Sequence, residues 1–340
     1  MKNFNLKKAL LYICVILTLN INLINSINAL TFLQNNKPTK PIIGIFCNVS
    51  PPDSETTITS MIYYYNVLWL ESAGFKVLPI YFNYSKNKLD KLLPKLNGIL
   101  YQGGDRVLKE KKGVFELNGF YIIDKAIDYK IPVFFICQGF QFLHFYFNKS
   151  LYIYNKNKLL EDYSAWSITL PSQVVEKNIE RSKLFKYFSK DDIVNLYSNK
   201  QTPSTVQYHH FGISEDAYKN VKSIRENLII TSYGYDKDNK KFVNTAESSD
   251  FTKNRFLAVQ FHPEIAMFAK DKESIDLSNL EALEVSQKIL LAFKHQVNEY
   301  IDKVKDPFIS ESQEKEWGVF DSTELALKEG EDKYYFNNQN

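Results

Sequence analysis

Strand-like and helix-like patterns alternate four times in the first half of the chain, and this alternation constrains the fold more than any other feature. Short apolar runs predict strands at residues 41–46, 77–82, 98–101 and 131–136. Helical patterns predict helices at residues 61–74, 86–96, 115–128 and 140–147. Such alternation is typical of a parallel sheet with helices on both faces. The functional site of such a sheet lies outside the carboxyl ends of its strands.

The pattern changes after residue 150. Further short strands separated by polar turns are predicted at residues 151–154, 167–170, 193–197, 227–235, 241–244 and 255–261. These strands predict a meander that completes or flanks the sheet. A long helix is predicted over 275–304, and the acidic, polar residues after it are assigned no structure. The expected fold is therefore α/β, a three-layer sandwich around a mostly parallel sheet with an added β meander.

The first 29 residues have the composition of a secretory signal peptide. Three lysines precede an apolar run from Ala9 to Leu19, and the small residues Ser26 and Ala29 follow it. The run is shorter than the roughly 18 residues expected of a membrane span. A retained signal anchor is the alternative. The sequons at Asn83 and Asn148 agree with passage through a secretory pathway and predict glycosylation there.

Removal of residues 1–29 leaves 39 basic and 39 acidic residues, because three lysines and no acid are lost. A net charge near zero gives no argument for nucleic-acid binding. Cys14 also leaves with this segment, so Cys47 and Cys137 remain. The pair could form a disulfide, or could be one structural and one reactive thiol.

The apolar run at 131–136 ends at Cys137, with Gly139 two residues later and a helical pattern after it. A sharp strand-to-helix turn would place the Cys137 sulfur beside a helix amino terminus. Backbone N–H groups and the helix dipole favour a thiolate there. This is the geometry of a nucleophile elbow with cysteine in place of serine. Taken alone, the pattern also fits an inert core cysteine.

A second pattern, His262–Pro263–Glu264, follows the last predicted strand. On an extended segment, side chains two residues apart point to the same face. Glu264 could therefore orient His262, and His262 could act as a base for Cys137. This is the logic of a nucleophile–base–acid triad. Taken alone, the tripeptide also fits a surface turn.

Several motifs occur together in a specific order. They are Lys40–Ile45, Leu70–Gly74 with Val77–Ile80, Asn97–Leu100 running into Gly103–Gly104, Pro132–Phe140, Tyr208–His209 and Val259–Glu264. Together they resemble the γ-glutamyl hydrolase family of the class I glutamine amidotransferase-like (flavodoxin-like) superfamily, over residues from about 40 to about 300. The domains expected are a signal peptide (1–29), a catalytic domain (30–305) and a C-terminal extension (306–340).

The resemblance implies a role for individual residues. Cys137 matches the nucleophile, His262 the catalytic histidine and Glu264 the acidic orienter. Gly103 or Gly104, with the N–H of Gln138, would form the oxyanion hole, since glycines permit close approach of backbone donors. The residues expected to contact substrate are His209, Gln141, Gln260 and, as a basic group for carboxylates, Arg106.

Three residues depart from the family pattern. Gln102 stands where a proline usually precedes the paired glycines. Phe135 stands where a small residue is usual two positions before the nucleophile, and it could crowd the elbow. Gln141 stands where a glutamate is usual, which removes a charge.

The resemblance implies hydrolysis of γ-glutamyl bonds in folate poly-γ-glutamates, or antifolate polyglutamates, through a cysteine thioester. It implies no cofactor and no metal. The expected partner is the small-molecule substrate, with no nucleic acid and no membrane after signal removal; a homodimer is left open. The expected compartment is the extracellular space or a lysosome or vacuole.

Three alternatives remain open at this point. One is a glutaminase that donates ammonia to a synthase. Another is a catalytically inactive γ-glutamyl-binding protein, prompted by Phe135 and Gln141. The third is a metal site formed by His209, His210 and His262.

Overall fold

The structure, a computed structural model, describes residues 40–50, 60–106, 113–148, 160–268, 279–305, 307–320, 322 and 332–336. The predicted signal peptide and the predicted strand at 151–154 lie outside these ranges. All secondary structure described below belongs to one unit that begins at Pro41.

Thirteen strands lie within the described ranges: β1 (Ile42–Phe46), β2 (Asn48–Val49), β3 (Ser60–Tyr63), β4 (Lys76–Ile80), β5 (Gly98–Tyr101), β6 (Val133–Ile136), β7 (Leu160–Leu170), β8 (Ser172–Val174), β9 (Thr205–Ile213), β10 (Leu228–Tyr235), β11 (Lys241–Ser248), β12 (Phe256–Val259) and β13 (Lys333–Phe336).

The helices in the same ranges are α1 (Tyr64–Ser72), α2 (Lys86–Leu92), α3 (Val114–Tyr129), α4 (Gln138–Asn148), α5 (Glu176–Ile179), α6 (Lys190–Asp192), α7 (Glu215–Asn220), α8 (Lys222–Asn227), α9 (Pro263–Phe268), α10 (Leu280–Ile301) and α11 (Glu311–Trp317). A short 3-10 turn, Leu93–Lys95, extends α2, and a π-helical turn, Ile193–Tyr197, extends α6. None of the helices in the described part of the chain is long and apolar enough to cross a membrane.

Five strands of the main sheet run parallel in the order β4–β1–β5–β6–β12. Counted along the chain this is the order 2-1-3-4-5, which is that of flavodoxin-like folds. Strands β11, β10 and β8 continue the sheet antiparallel, and β9 joins β11 to β7. The predicted α/β fold with a mostly parallel sheet and an added meander is confirmed.

Alternate residues of the central strands enter two different apolar cores. In β6, Val133 and Phe135 pack into one core, whereas Phe134 and Ile136 pack into the other. Because both faces are covered, the parallel strands consist almost entirely of buried apolar residues. Helix α10 covers one face through buried residues such as Ile289 and Phe293, as expected for a helix packed on the sheet.

Three predictions are wrong. Residues 193–197 form a π-helical turn instead of a strand, and Tyr197 reaches from it to donate or accept a hydrogen bond with Ser232 at 2.8 Å. The first residues of the predicted helix at 61–74 belong to strand β3, because β13 pairs with them. The C-terminal residues assigned no structure include α11 and β13, and β13 joins β3 and β2 in a small antiparallel sheet.

Candidate active site

Cys137 lies at a sharp turn between β6 and α4. Its φ angle is 50°, in the left-handed region that side chains other than glycine rarely adopt. Helix α4 begins at the next residue. A Cβ added to Gly139 would lie 2.3 Å from the carbonyl oxygen of Tyr101 in β5. Since this atom belongs to the backbone of the sheet, only glycine lets the helix start so close to it. The predicted strand–turn–helix geometry is confirmed.

His262 is brought to Cys137 by the pairing of β12 with β6. Val259 pairs with Ile136, and the N–H of Cys137 donates to the carbonyl of Val259 at 2.9 Å. The imidazole then lies close enough to Cys137 for the charge of the sulfur to raise the pKa of His262. Both side chains are almost fully buried but line the same cavity.

Glu264 holds the other side of the imidazole. Its Oε1 lies 2.8 Å from His262 Nδ1, which leaves Nε2 as the ring nitrogen for Cys137. The carboxylate is inaccessible to solvent. It lies in the first turn of α9, which starts at Pro263, and not on an extended segment as predicted. The helix amino terminus favours a carboxylate at this position.

The electrostatics of the three side chains favour a protonated imidazole. Burial by itself lowers the pKa of His262. The negative charges of Cys137 and Glu264 outweigh this effect and raise the pKa to about 10. His262 can therefore hold a proton beside the sulfur and release it to a leaving group.

Gly103 and Gly104 follow β5 and lie next to the catalytic side chains. A Cβ at Gly103 would lie 2.6 Å from His262 Cε1 and 3.5 Å from Cys137 Cβ. The carbonyl of Gly103 accepts a hydrogen bond from Asn48 Nδ2 at 2.7 Å. The N–H of Gln138 belongs to the first turn of α4, where backbone donors have no partner within the helix. These groups lie where an oxyanion hole is expected.

A cavity of about 360 Å³ opens over these groups. Four kinds of residue line it: the catalytic pair and glycines, other polar and charged side chains, a set of aromatic and apolar residues, and two residues of the C-terminal segment. The lining residues are Cys137, His262, Gly103, Gly104, Asp105, Arg106, Gln138, Gln141, His209, His210, Tyr63, Tyr65, Leu160, Trp166, Tyr208, Phe211, Ile265, Asp332 and Lys333.

The aromatic lining was not predicted. The rings of Tyr63 and Tyr65 stack with centroids 5.2 Å apart. Trp166 is 42% exposed and stacks on His210 with centroids 4.5 Å apart. A local signal for these residues is absent from the sequence, because α1 and β7 also carry aromatic residues that are buried in the core, such as Trp69 and Tyr163.

Arg106 and Gln141 line the cavity but already have protein partners. Arg106 Nε lies 3.4 Å from Oε1 of the buried Glu116, and its guanidinium lies over the ring of Phe115. Gln141 Nε2 donates to the carbonyl of Phe211 at 2.7 Å, which holds the side chain at the wall. The neutral amide of Gln141 therefore donates a hydrogen bond to the backbone that a glutamate carboxylate, which has no N–H group, could not donate.

Of the two other residues expected to contact substrate, His209 lies at the cavity wall and Gln260 does not. His209 lines the cavity, and its Nε2 lies 2.9 Å from Gln207 Oε1. Burial and the nearby His262 lower the pKa of His209 to about 3, so this imidazole is neutral. Gln260 is fully buried and is absent from the cavity wall. A direct contact of Gln260 with substrate is therefore not supported by its position.

The two remaining departures are accommodated by the packing. Phe135 stacks on Tyr101 and meets Phe256 edge-on, in the core opposite to that of Cys137, so it does not crowd the elbow. Gln102 donates to the carbonyl of Met61 at 2.9 Å and accepts from the N–H of Tyr63 at 3.0 Å. It thus connects the glycine pair to β3.

The structure bears on two possibilities raised by the sequence, a disulfide between the two cysteines and a metal site at the histidines. Cys47 and Cys137 are both free thiols, so the disulfide is not formed. Cys47 is fully buried, and burial raises its pKa well above the usual value. Within the described ranges, no group of three or more His, Cys, Asp or Glu side chains could hold a metal ion.

The asparagines of the two sequons, Asn83 and Asn148, differ in their exposure to solvent. Asn83 is exposed in a turn, and Ser85 of the same sequon accepts a hydrogen bond from the N–H of Lys88 at 3.3 Å. Asn148 is partly exposed at the end of α4, and the rest of its sequon lies outside the described residues. Asn83 is accordingly the more accessible of the two for modification.

The chain was compared with protein families, curated proteins and solved structures. The model of the peptidase C26 family matches residues 41–264. Gamma-glutamyl hydrolase B of Dictyostelium discoideum is 26% identical over 301 residues, which cover 87% of this chain and 78% of that protein. A probable gamma-glutamyl hydrolase 3 of Arabidopsis thaliana is 25% identical, over 81% of this chain and 76% of that protein. The glutaminase domain of Trypanosoma brucei CTPS matches with a TM-score of 0.48 and 15% identity, over 80% of this chain and 98% of that domain.

Proposed function

The chain belongs to the peptidase C26 family, and we propose that it hydrolyses γ-glutamyl peptide bonds with Cys137 as the nucleophile. The family match and the similarity to γ-glutamyl hydrolases make the chain a hydrolase of γ-glutamyl bonds. The observation that carries the cysteine mechanism is that His262 lies beside Cys137 at the cavity wall while the buried Glu264 contacts Nδ1 of His262.

In the first step, the Cys137 thiolate attacks the carbonyl carbon of the γ-amide, and a C–S bond forms. The carbonyl oxygen becomes an oxyanion and accepts hydrogen bonds from the N–H groups of Gln138 and Gly104. Such preorganised donors stabilise the developing charge more than they stabilise the substrate.

The tetrahedral intermediate then collapses to a thioester. The C–N bond breaks, and His262 gives its proton to the departing amine. Water next attacks the thioester carbonyl, with the now neutral His262 taking a proton from it. Cleavage of the C–S bond releases the carboxylic acid and restores the thiolate–imidazolium pair. Glu264 keeps the imidazole oriented through Nδ1 in both steps.

The proposed substrate is a folate poly-γ-glutamate. A cavity of about 360 Å³ with stacked aromatic rings at its wall suits an acyl group that combines an aromatic head with a γ-glutamyl chain. We also propose that the chain enters the secretory pathway and acts outside the cytosol, in agreement with the basic and apolar start of the sequence and the exposed Asn83.

The test is incubation of the purified protein with folate pentaglutamate and, separately, with free glutamine. Chromatography of the first reaction should show shortened folates and released glutamate or glutamyl peptides, and Cys137→Ala should abolish both products. The matched control is Cys47→Ala, which removes a buried thiol outside the cavity and should leave turnover intact. Faster release of ammonia from glutamine than of products from the folate would instead identify a glutaminase.

A further inference from the structure

The carboxyl-terminal strand β13 forms part of the wall of the catalytic cavity. Lys333 pairs with Tyr63 in β3, and the N–H of Tyr64 donates to the carbonyl of Asp332 at 3.1 Å. Asp332 and Lys333 both line the cavity. The family match ends at residue 264, so this contribution lies outside the matched segment.

Aromatic packing holds β13 in this position. Tyr334 is buried, and its ring centroid lies 5.7 Å from that of Phe320. Phe336 packs against Tyr81 and Phe320, with centroids 5.7 and 5.8 Å away. The strand therefore has an apolar face on the body of the protein, while Lys333 remains at the cavity.

The described part of the cavity wall includes two side chains with a permanent positive charge, Arg106 and Lys333. Arg106 is opposed by the fully buried carboxylate of Glu116 at 3.4 Å. Lys333 Nζ lies 3.9 Å from Asp332 Oδ1, and these side chains are 28% and 49% exposed. An ion pair that is this long and this exposed contributes little stability. Lys333 can therefore exchange its partner for another carboxylate.

The negative charge of the cavity wall gives a reason for Lys333 to contact a substrate carboxylate in place of Asp332. Asp105 and Asp332 add negative charge to the wall, and a poly-γ-glutamyl chain carries at least one free carboxylate on each residue. Such a chain is repelled unless a cation faces it. Lys333 Nζ also lies 5.2 Å from the centre of the Tyr63 ring, which keeps the ammonium group near the cavity mouth.

We propose that Lys333 binds a carboxylate of the γ-glutamyl substrate and that β13 is a substrate-binding element of the enzyme. The inference rests on the proposed hydrolysis of γ-glutamyl bonds and names the residue that selects an anionic chain. It requires that the C-terminal segment be present for normal affinity.

The experiment compares Lys333→Ala with Lys315→Ala. Lys315 is exposed on α11 and is absent from the cavity wall, so the two variants make the same change in net charge at different places. With pteroyl-γ-diglutamate, Lys333→Ala should raise KM about tenfold with kcat unchanged, which corresponds to one lost charge-assisted hydrogen bond. Lys333→Arg should restore most of the affinity. An unchanged KM in Lys333→Ala, or an equal rise in Lys315→Ala, would overturn the proposal.

A second substrate locates the carboxylate. In a pteroylglutamyl γ-anilide the leaving group has no carboxylate. If Lys333→Ala raises KM for the diglutamate alone, Lys333 binds the leaving glutamate; if it raises KM for both, Lys333 binds the α-carboxylate on the acyl side. Thermal denaturation of each variant verifies that the fold is retained.

Direct binding separates this inference from the proposed function. Pteroyl-γ-diglutamate is titrated into Cys137→Ala and into the double variant with Lys333→Ala, at low and at high salt. Weaker binding in the double variant, with the difference reduced by salt, supports the role of Lys333 even if the wild-type protein fails to cleave this substrate. Equal binding by the two proteins refutes it, whatever the turnover.

Discussion

The side-chain amide of Asn48 donates a hydrogen bond to the carbonyl oxygen of Gly103 at 2.7 Å, across the ends of two parallel strands. The peptide between Gly103 and Gly104 is trans, so its N–H points away from its carbonyl. Asn48 therefore fixes the direction of the Gly104 N–H. Asn48 is itself buried and follows β1 closely in the sequence, as the first residue of β2.

We expect Asn48→Ala to lower kcat with little change in KM. Without the amide, the Gly103–Gly104 peptide can rotate and withdraw a donor from the oxyanion. Complete loss of one such donor costs about 10²–10³ in kcat, and partial loss through a mobile peptide should cost about tenfold or more. Steady-state kinetics with a γ-glutamyl substrate measure the effect. A rise in KM at constant kcat would show that Asn48 acts on substrate binding and not on the oxyanion.

We expect a mild alkylating reagent to modify Cys137 and to leave Cys47 unmodified. Cys137 lies at the cavity beside a protonated imidazole, whereas Cys47 is fully buried and its pKa is raised by burial. Because the thiolate is the reactive form, the two thiols should differ strongly in rate. Peptide mass spectrometry after iodoacetamide treatment at neutral pH locates the label.

The control for this labelling is His262→Ala. Loss of the imidazolium should slow modification of Cys137, while Cys47 stays unlabelled as long as the protein is folded. Equal labelling rates in the wild-type protein and in His262→Ala would show that His262 does not activate the sulfur.

We expect Glu264→Gln to move the alkaline limb of the kcat/KM profile to lower pH. Burial lowers the pKa of His262, and the charges of Cys137 and Glu264 raise it to about 10. Removal of one negative charge must lower this pKa, so the proton needed by the leaving amine is lost at lower pH. The pH dependence of kcat/KM in both proteins measures the shift. An alkaline limb at the same pH in both would mean that it reports a group other than His262.

The parts of this site that were predictable are those determined by neighbours in sequence. The Cys137 elbow follows from an apolar run, a cysteine and Gly139, and the structure shows why glycine is required beside Tyr101. His262 and Glu264 are two residues apart, and their contact, now 2.8 Å, was expected even though Glu264 lies in the first turn of a helix.

The parts that were not predictable depend on partners far away in sequence. Ser60–Tyr63 could continue the helical pattern of α1, and only its pairing with β13 makes it a strand. Residues 193–197 have the β-branched and aromatic composition of a strand, but the contacts of Tyr197 with Ser232 and Phe185 fix a helical turn. Asn48 and Lys333 gain their roles only through contacts with residues such as Gly103 and Tyr63.

His144 provides a prediction about stability, because it is a histidine kept neutral in the core. Its Nδ1–H donates to the carbonyl of Phe140 at 2.8 Å, and its Nε2 accepts from the hydroxyl of Tyr218 at 2.7 Å. Burial lowers its pKa to about 4. In the unfolded chain the pKa is about 6.5, so between these values the unfolded state binds one more proton and the free energy of unfolding falls as the pH falls. The loss should approach about 3 kcal/mol at pH 4.

His144→Gln removes this titration and can still accept the Tyr218 hydroxyl, so its free energy of unfolding should depend less on pH between 6.5 and 4. Tyr218→Phe is the complementary control, since it deletes the hydrogen bond to His144 Nε2 and leaves the buried imidazole able to titrate. Urea denaturation at a series of pH values should therefore give a shallow profile for His144→Gln and the wild-type slope, at lower overall stability, for Tyr218→Phe. His209, whose pKa is lowered to about 3, accounts for part of the slope that remains. If His144→Gln keeps the full wild-type slope, the acid sensitivity arises from other groups and the neutral core imidazole is not its cause.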